Sequence, residues 1–118
     1  MKATKYLERN SIGECEEGWR GLIEPLVKAV AAVDGSIFQI KEKFGGLRFY
    51  YHDEAGDPEI RAMVDKAEHE SYKICEKCGQ PGRVRYGGWM LTLCDTHAKE
   101  RRAERGIADG MDELENQP

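Results

Sequence analysis

The chain has no run of apolar residues long enough to cross a bilayer, so a membrane-spanning helix is not expected. Residues Met1 to Asn10 lack the apolar stretch that follows the charges of a secretory leader, which predicts a reducing cytoplasm. Catalytic signatures are missing too. There is no phosphate-cradling P-loop, no Gly-x-Ser-x-Gly elbow and no pair of metal-binding carboxylates, and the His-x-Glu…Pro-Cys-x-x-Cys pattern of zinc deaminases is absent. The expectation is a protein that is not an enzyme. A global excess of positive charge is also wanting: the formal net charge is −4, which argues against coating DNA by bulk electrostatics. At 118 residues the chain predicts one domain, or one domain with a small appended module, and its core can only be modest.

Cysteine is scarce, yet three of the four sit in one short stretch. Cys75 and Cys78 are separated by two residues, as are Cys94 and His97. Each spacing lets both side chains of a pair reach one ion, from a tight turn or from the first turn of a helix. Three thiolates and an imidazole suit a tetrahedral Zn²⁺ with no open position, hence a structural metal. Gly79 follows Cys78 where a turn calls for positive φ. Gly87-Gly88 lies between Arg83–Tyr86 and Trp89–Leu93 and predicts a two-residue hairpin turn. A polar helix is expected from Asp95 to Arg105, ended by Gly106. Knuckle, hairpin and helix in that order resemble a treble-clef zinc finger. Cys15, remote in sequence, is expected to be an ordinary thiol.

Upstream, Trp19, Leu22, Ile23, Leu26, Val27, Val30 and Ala31 recur at three- and four-residue steps. They predict a helix from Gly21 or Leu22 to Asp34-Gly35, with Pro25 in or near its first turn and Gly35 as its cap. Asp57-Pro58-Glu59 predicts the start of a second helix, whose buried face runs through Ile60, Met63, Val64, Ala67, Ser71 and Ile74. Glu68, His69 and Glu70 on that helix are expected to face solvent. Residues 1–17 predict little beyond anchoring by Tyr6, Leu7 and Ile12. The expected fold is α+β: a body of two helices and a hairpin over 1–74, a zinc module over 75–106, and an acidic flexible tail over 107–118.

Between the helices, Ile37–Phe44 and Leu47–His52 flank Gly45-Gly46 and predict a hairpin with that pair as its turn. Alternation then assigns Phe38, Ile40, Phe44, Leu47, Phe49 and Tyr51 to the core face, with Glu42 as the exception that binds a backbone or a cation. The other face carries Gln39, Lys41, Lys43, Arg48, Tyr50 and His52. Two readings of it are open. One is an ordinary solvated sheet surface. The other is a contact surface for phosphates and bases, with Lys41, Lys43 and Arg48 meeting anionic oxygens and Tyr50 offering a stacking plane. The residues from Lys73 to Arg105 are also net basic, so the last helix offers a further nucleic-acid surface or a salt-bridged one.

The run Lys41-Glu42-Lys43-Phe44-Gly45-Gly46-Leu47-Arg48-Phe49-Tyr50, with Gly18-Trp19 upstream and Cys-x-x-Cys-Gly…Gly-Trp…Cys-Asp-x-His downstream, resembles a set of small phage and prophage proteins. The resemblance spans Gly18 to His97. It implies an accessory protein of viral origin in a bacterial cytoplasm and carries no activity with it. Two non-enzymatic functions follow as expectations. One is binding of nucleic acid or a nucleotide-like anion through the hairpin face; the other is capture of a host defence or regulatory protein.

Overall fold

A computed structural model describes residues 1–105 and, among them, four helices and two antiparallel hairpins. The order is α1 (Ala3–Glu8), α2 (Arg20–Ala32), β1 (Ser36–Lys43), β2 (Gly46–His52), α3 (Pro58–Glu70), β3 (Arg83–Arg85), β4 (Leu91–Leu93) and α4 (Asp95–Arg105). The expected α+β class is observed. Gly106 and the segment 107–118 lie outside the described residues.

Helix α2 forms where the apolar periodicity predicts it, and its buried face is Ile23, Leu26, Val27 and Val30. A 3-10 turn over Glu17–Trp19 precedes it. That turn sinks Trp19 completely, with its indole N–H donating to the Ile74 carbonyl at 2.9 Å. Two details differ from expectation. Pro25 is the sixth residue of α2 rather than a first-turn residue. It is tolerated there because it lies on the exposed face, where water can satisfy the carbonyl that its missing N–H would have bonded. The residue that ends α2 in the left-handed region is Asp34, at φ 55°, and not Gly35. The Asp34 N–H bonds Ala31 O at 3.0 Å and the Gly35 N–H bonds Val30 O at 2.9 Å. This is a Schellman ending shifted back by one residue. Gly35 is needed for space instead, since a Cβ there would meet the Val30 side chain and the His52 carbonyl.

The β1–β2 hairpin forms, but its turn is Phe44-Gly45 and not Gly45-Gly46. Lys43 pairs with Gly46, and both turn residues have positive φ, 55° and 83°, as a type I′ turn demands. Gly46 is excluded from the turn because the Tyr72 ring occupies the position of its absent Cβ. Phe44 is therefore thrust into solvent, 62% exposed. A bulge between Ile37 and Gln39 likewise turns Phe38 outward. The expected core face thus loses Phe38 and Phe44 and gains Ile37. The rest stands: Ile40, Leu47 and Phe49 are buried against α2 and against Ile60, Val64 and Ala67 of α3. Met63, also expected in the core, is exposed.

The short helix α1 was not legible as a periodic segment; its six residues bury only Ala3. It brings the N-terminal residues against the outer edge of β1. Ile37 N–H donates to Met1 O at 2.8 Å, and Glu14 N–H donates to Ile40 O at 2.9 Å. The outer edge of β2 is closed by side chains: Ser71 Oγ accepts from Leu47 N–H at 2.9 Å, and Glu68 Oε2 accepts from Phe49 N–H at 2.8 Å. Glu68, expected to face solvent, is thus half-buried because a strand N–H needs an acceptor.

Candidate functional site

Residues 75–105 have a very small apolar core of their own: Cys75, Leu93 and Ala98 are buried, with Leu91 and Cys94 packed against them. Such a cluster cannot by itself offset the ordering of a segment this long. What it surrounds is a group of soft ligands. The ligand atoms of Cys75, Cys78, Cys94 and His97 all lie within 4.8 Å of one another.

Local structure brings them there. The chain turns at Cys75–Gly79, where the Gly79 N–H donates to Cys75 O at 2.9 Å and Gly79 takes φ 80°, as its position after Cys78 predicts. Cys94 immediately precedes α4, and His97 follows in the first turn of that helix. The His97 N–H points at Cys94 Sγ, 3.4 Å away. His97 Nδ1 stands 3.5 Å from Cys75 Sγ and 3.3 Å from Cys94 Sγ, and Cys78 Sγ is 3.8 Å from Cys94 Sγ. With Zn–S bonds of about 2.3 Å and a Zn–N bond of about 2.0–2.1 Å, a regular tetrahedron has edges of about 3.8 Å between sulfurs and about 3.5 Å from sulfur to nitrogen. These three separations are compatible with one bound metal ion, held by the histidine through Nδ1. Burial raises the Cys75 thiol, but backbone N–H groups of Cys94, Cys78 and Lys77 outweigh it and bring the thiol down to about 7. A thiol in that range gives up its proton readily to a cation. Cys15 stands outside the group.

The module is locked to the body by backbone. Gly18 N–H donates to Glu76 O at 2.8 Å, and Gly82 N–H donates to Lys73 O at 2.8 Å. Thr92 Oγ1 donates to Gly45 O at 2.5 Å, tying β4 to the turn of the first hairpin. Glu76 is buried between them, its carboxylate accepting from Thr92 N–H at 3.1 Å. Arg85, almost wholly buried, donates to Leu93 O and to Asp95 Oδ1 at 2.8 Å, anchoring the start of α4. That hydrogen bond holds the Asp95 carboxyl below its ordinary range.

The basic surface expected over α4 is smaller than its composition implies. Arg101 and Arg102 are buried, and Arg101 donates to the Trp89 carbonyl. Nor is Gly87-Gly88 a two-residue turn. Strands β3 and β4 pair Arg83 with Leu93, Val84 with Thr92 and Arg85 with Leu91, leaving a five-residue loop from Tyr86 to Met90. Both glycines have positive φ, 103° and 95°, and they swing Trp89 out to 71% exposure.

This loop and the first hairpin enclose a cleft of about 390 Å³, lined by Lys41, Glu42, Lys43, Phe44, Gly88, Trp89 and Met90. The four residues expected to contact a ligand do lie on one face, with Lys41 opposite Arg48 and Gln39 opposite Tyr50. They divide between two hollows, however. Lys41 and Lys43 border the cleft, whereas Arg48 and Tyr50 border a separate depression with Phe38, Tyr51, Arg61 and Glu68. Arg48 is drawn aside by Tyr72, whose hydroxyl accepts from its Nη2 at 3.2 Å. Phe44 and Trp89 were missed as surface aromatics. An aromatic beside a glycine pair was the available signal, and strand alternation misdirected Phe44 to the core. Glu42, expected to bind a backbone or a cation, binds a backbone. Its Oε2 accepts from Gly45 N–H at 2.7 Å, capping the turn, and its Oε1 receives the Trp89 indole N–H at 3.4 Å.

No described helix is long and apolar enough to cross a membrane. Compared with protein-family models, curated proteins and solved structures, the chain matches none of them.

Proposed function

We propose that this protein is a non-enzymatic binder of nucleic acid or of a nucleotide-like anion, built on a structural zinc site. The Cys₃His ligand set favours zinc among the divalent ions, and its closed coordination supports a role in holding the chain together. The order of knuckle, hairpin and helix supports a treble-clef reading of residues 75–105. On the motif resemblance alone, we read it as an accessory protein of viral origin in a bacterial cytoplasm.

One observation carries the binding reading: Lys41 and Lys43 border a cleft whose other walls include exposed Phe44 and Trp89. Cations beside exposed aromatic rings are the pairing that single strands and nucleotides require, with phosphates meeting ammonium groups and bases stacking on rings; Lys43 Nζ already lies over the Phe44 ring, 5.7 Å from its centroid. A local site of this kind is compatible with a net charge of −4, because the attraction acts over only about 10 Å at ordinary salt. The experiment is titration of the zinc-loaded protein with short single-stranded oligonucleotides at several salt concentrations. Affinity is expected to fall with salt, and Lys41→Ala with Lys43→Ala is expected to flatten the slope by about 1.4, at about 0.7 per phosphate contact. Salt-independent retention of one protein from a bacterial lysate, without nucleotide binding, would replace this reading with the protein-capture one.

A further inference from the structure

We infer that the cleft between the two hairpins selects a guanine ring, taken as a free nucleotide or as an unpaired base in a single strand. The inference rests on the binding reading above and narrows it to one base. Three features of the cleft converge. Its apolar walls are Phe44, Trp89 and Met90, two flat rings and a polarizable thioether, suited to the face of a heteroaromatic base. Its rim carries Lys41 and Lys43, where the phosphate of such a ligand would be neutralised. Its remaining side chain is the Glu42 carboxylate, which decides between bases.

An ionised carboxylate only accepts hydrogen bonds. Glu42 is fixed through Oε2 by the Gly45 N–H at 2.7 Å, while among the described residues Oε1 holds only the indole N–H of Trp89 at 3.4 Å, a long bond that a better donor displaces. Guanine presents two adjacent donors on its Watson–Crick edge, N1–H and the 2-amino group. Adenine and cytosine set a lone pair beside their amino groups, and uracil and thymine flank one N–H with two carbonyls. Each of those would face the carboxylate with an acceptor. Guanine alone offers two adjacent donors, and its one Watson–Crick acceptor, O6, lies on the far side of N1–H from the 2-amino group.

Trp89 supplies its own probe, because Trp19, the second tryptophan, is fully buried. The zinc-loaded full chain is titrated with GMP, AMP, CMP and UMP, and with an oligothymidylate carrying one central guanine, following tryptophan fluorescence and calorimetry. GMP is expected to quench the emission and to bind roughly tenfold or more tightly than the other monophosphates. Trp89→Ala is expected to weaken GMP binding about tenfold by calorimetry with metal content unchanged, the quench being lost with the fluorophore itself, and Glu42→Gln to level the base preference. Because Glu42 also caps the turn, Trp89→Ala carries the test if Glu42→Gln fails to fold. Comparable binding of GMP and the guanine-bearing strand identifies the free nucleotide as a sufficient ligand, and binding of the strand alone identifies the unpaired base; both support the inference. Equal, salt-sensitive binding of all four monophosphates overturns it while leaving anion binding intact. Absence of binding by every nucleotide and strand overturns both.

Discussion

Replacing Gly18 by alanine isolates the contact on which the C-terminal segment and the body depend. The glycine has no positive φ, so alanine meets no backbone obstacle of its own. What it meets is a neighbouring chain segment: a Cβ at Gly18 would fall among the Cys75 carbonyl oxygen and the Glu76 carbonyl carbon and oxygen, backbone atoms that cannot rotate away. Forcing them apart costs about 1–3 kcal/mol as overpacking. The Gly18 N–H to Glu76 O bond stretches with them, for about 1 kcal/mol more. Against this, alanine restricts the unfolded chain and returns about 0.4–1 kcal/mol. The expected net loss is about 2–3 kcal/mol, or a fall in Tm of roughly 10 °C for a chain of this size. Gly21→Ala is the matched control. Gly21 is exposed in α2, and a methyl group added there would have nothing within 4 Å, so the same substitution should stabilise by about 0.5–1 kcal/mol. Urea denaturation of both variants in excess zinc compares them directly. Equal stability of the two would refute the backbone-to-backbone packing of the body on the knuckle.

Three further outcomes are expected. Chelation, or Cys78→Ser, should unfold residues 75–105 while leaving α2 and the first hairpin largely formed, seen as loss of amide-exchange protection confined to the C-terminal third; retained protection there would refute a structural metal. Ser71→Ala should cost about 1–3 kcal/mol, because the buried Leu47 N–H loses its acceptor, and an unchanged urea midpoint would show that another group takes over. Cys15 is pushed up to about 12, first by burial and then by the nearby Glu76, Glu42 and Glu14 carboxylates. Since its folded pKa lies above the ordinary 9.0, the associated stability is complete below about pH 9 and is lost as the pH rises toward 12. Alkylation at pH 8 should accordingly label Cys15 more slowly in the folded protein than in urea; equal rates would contradict its partial burial.

The Cys/His cluster was legible because its spacing is local. Two residues between partners suffice to aim both side chains at one point, and Cys75, Cys78, Cys94 and His97 do meet. The apolar stripe of α2 and the Asp57 cap of α3 were legible for the same reason, since periodicity and capping act within a few residues. Hairpin existence was legible as well, but hairpin register was not. Both glycine pairs marked a reversal, yet which residues occupy the turn depended on Tyr72 filling the space over Gly46 and on Thr92 and Glu42 holding Gly45. A one-residue shift and a bulge carried Phe44 and Phe38 from the expected core into solvent.

Local sequence by itself thus determined the class of fold, the Cys/His cluster and the two helices with a clear apolar face, all of which follow from short-range spacing. Tertiary structure alone decided which charges are available to a partner. Arg85, Arg101 and Arg102 count as basic in the sequence but are buried in packing the C-terminal module, whereas Lys41 and Lys43 stay at the rim of a cleft. The walls of that cleft come from residues more than forty positions apart. No local pattern encodes such a meeting, because it exists only once the second hairpin is docked on the turn of the first.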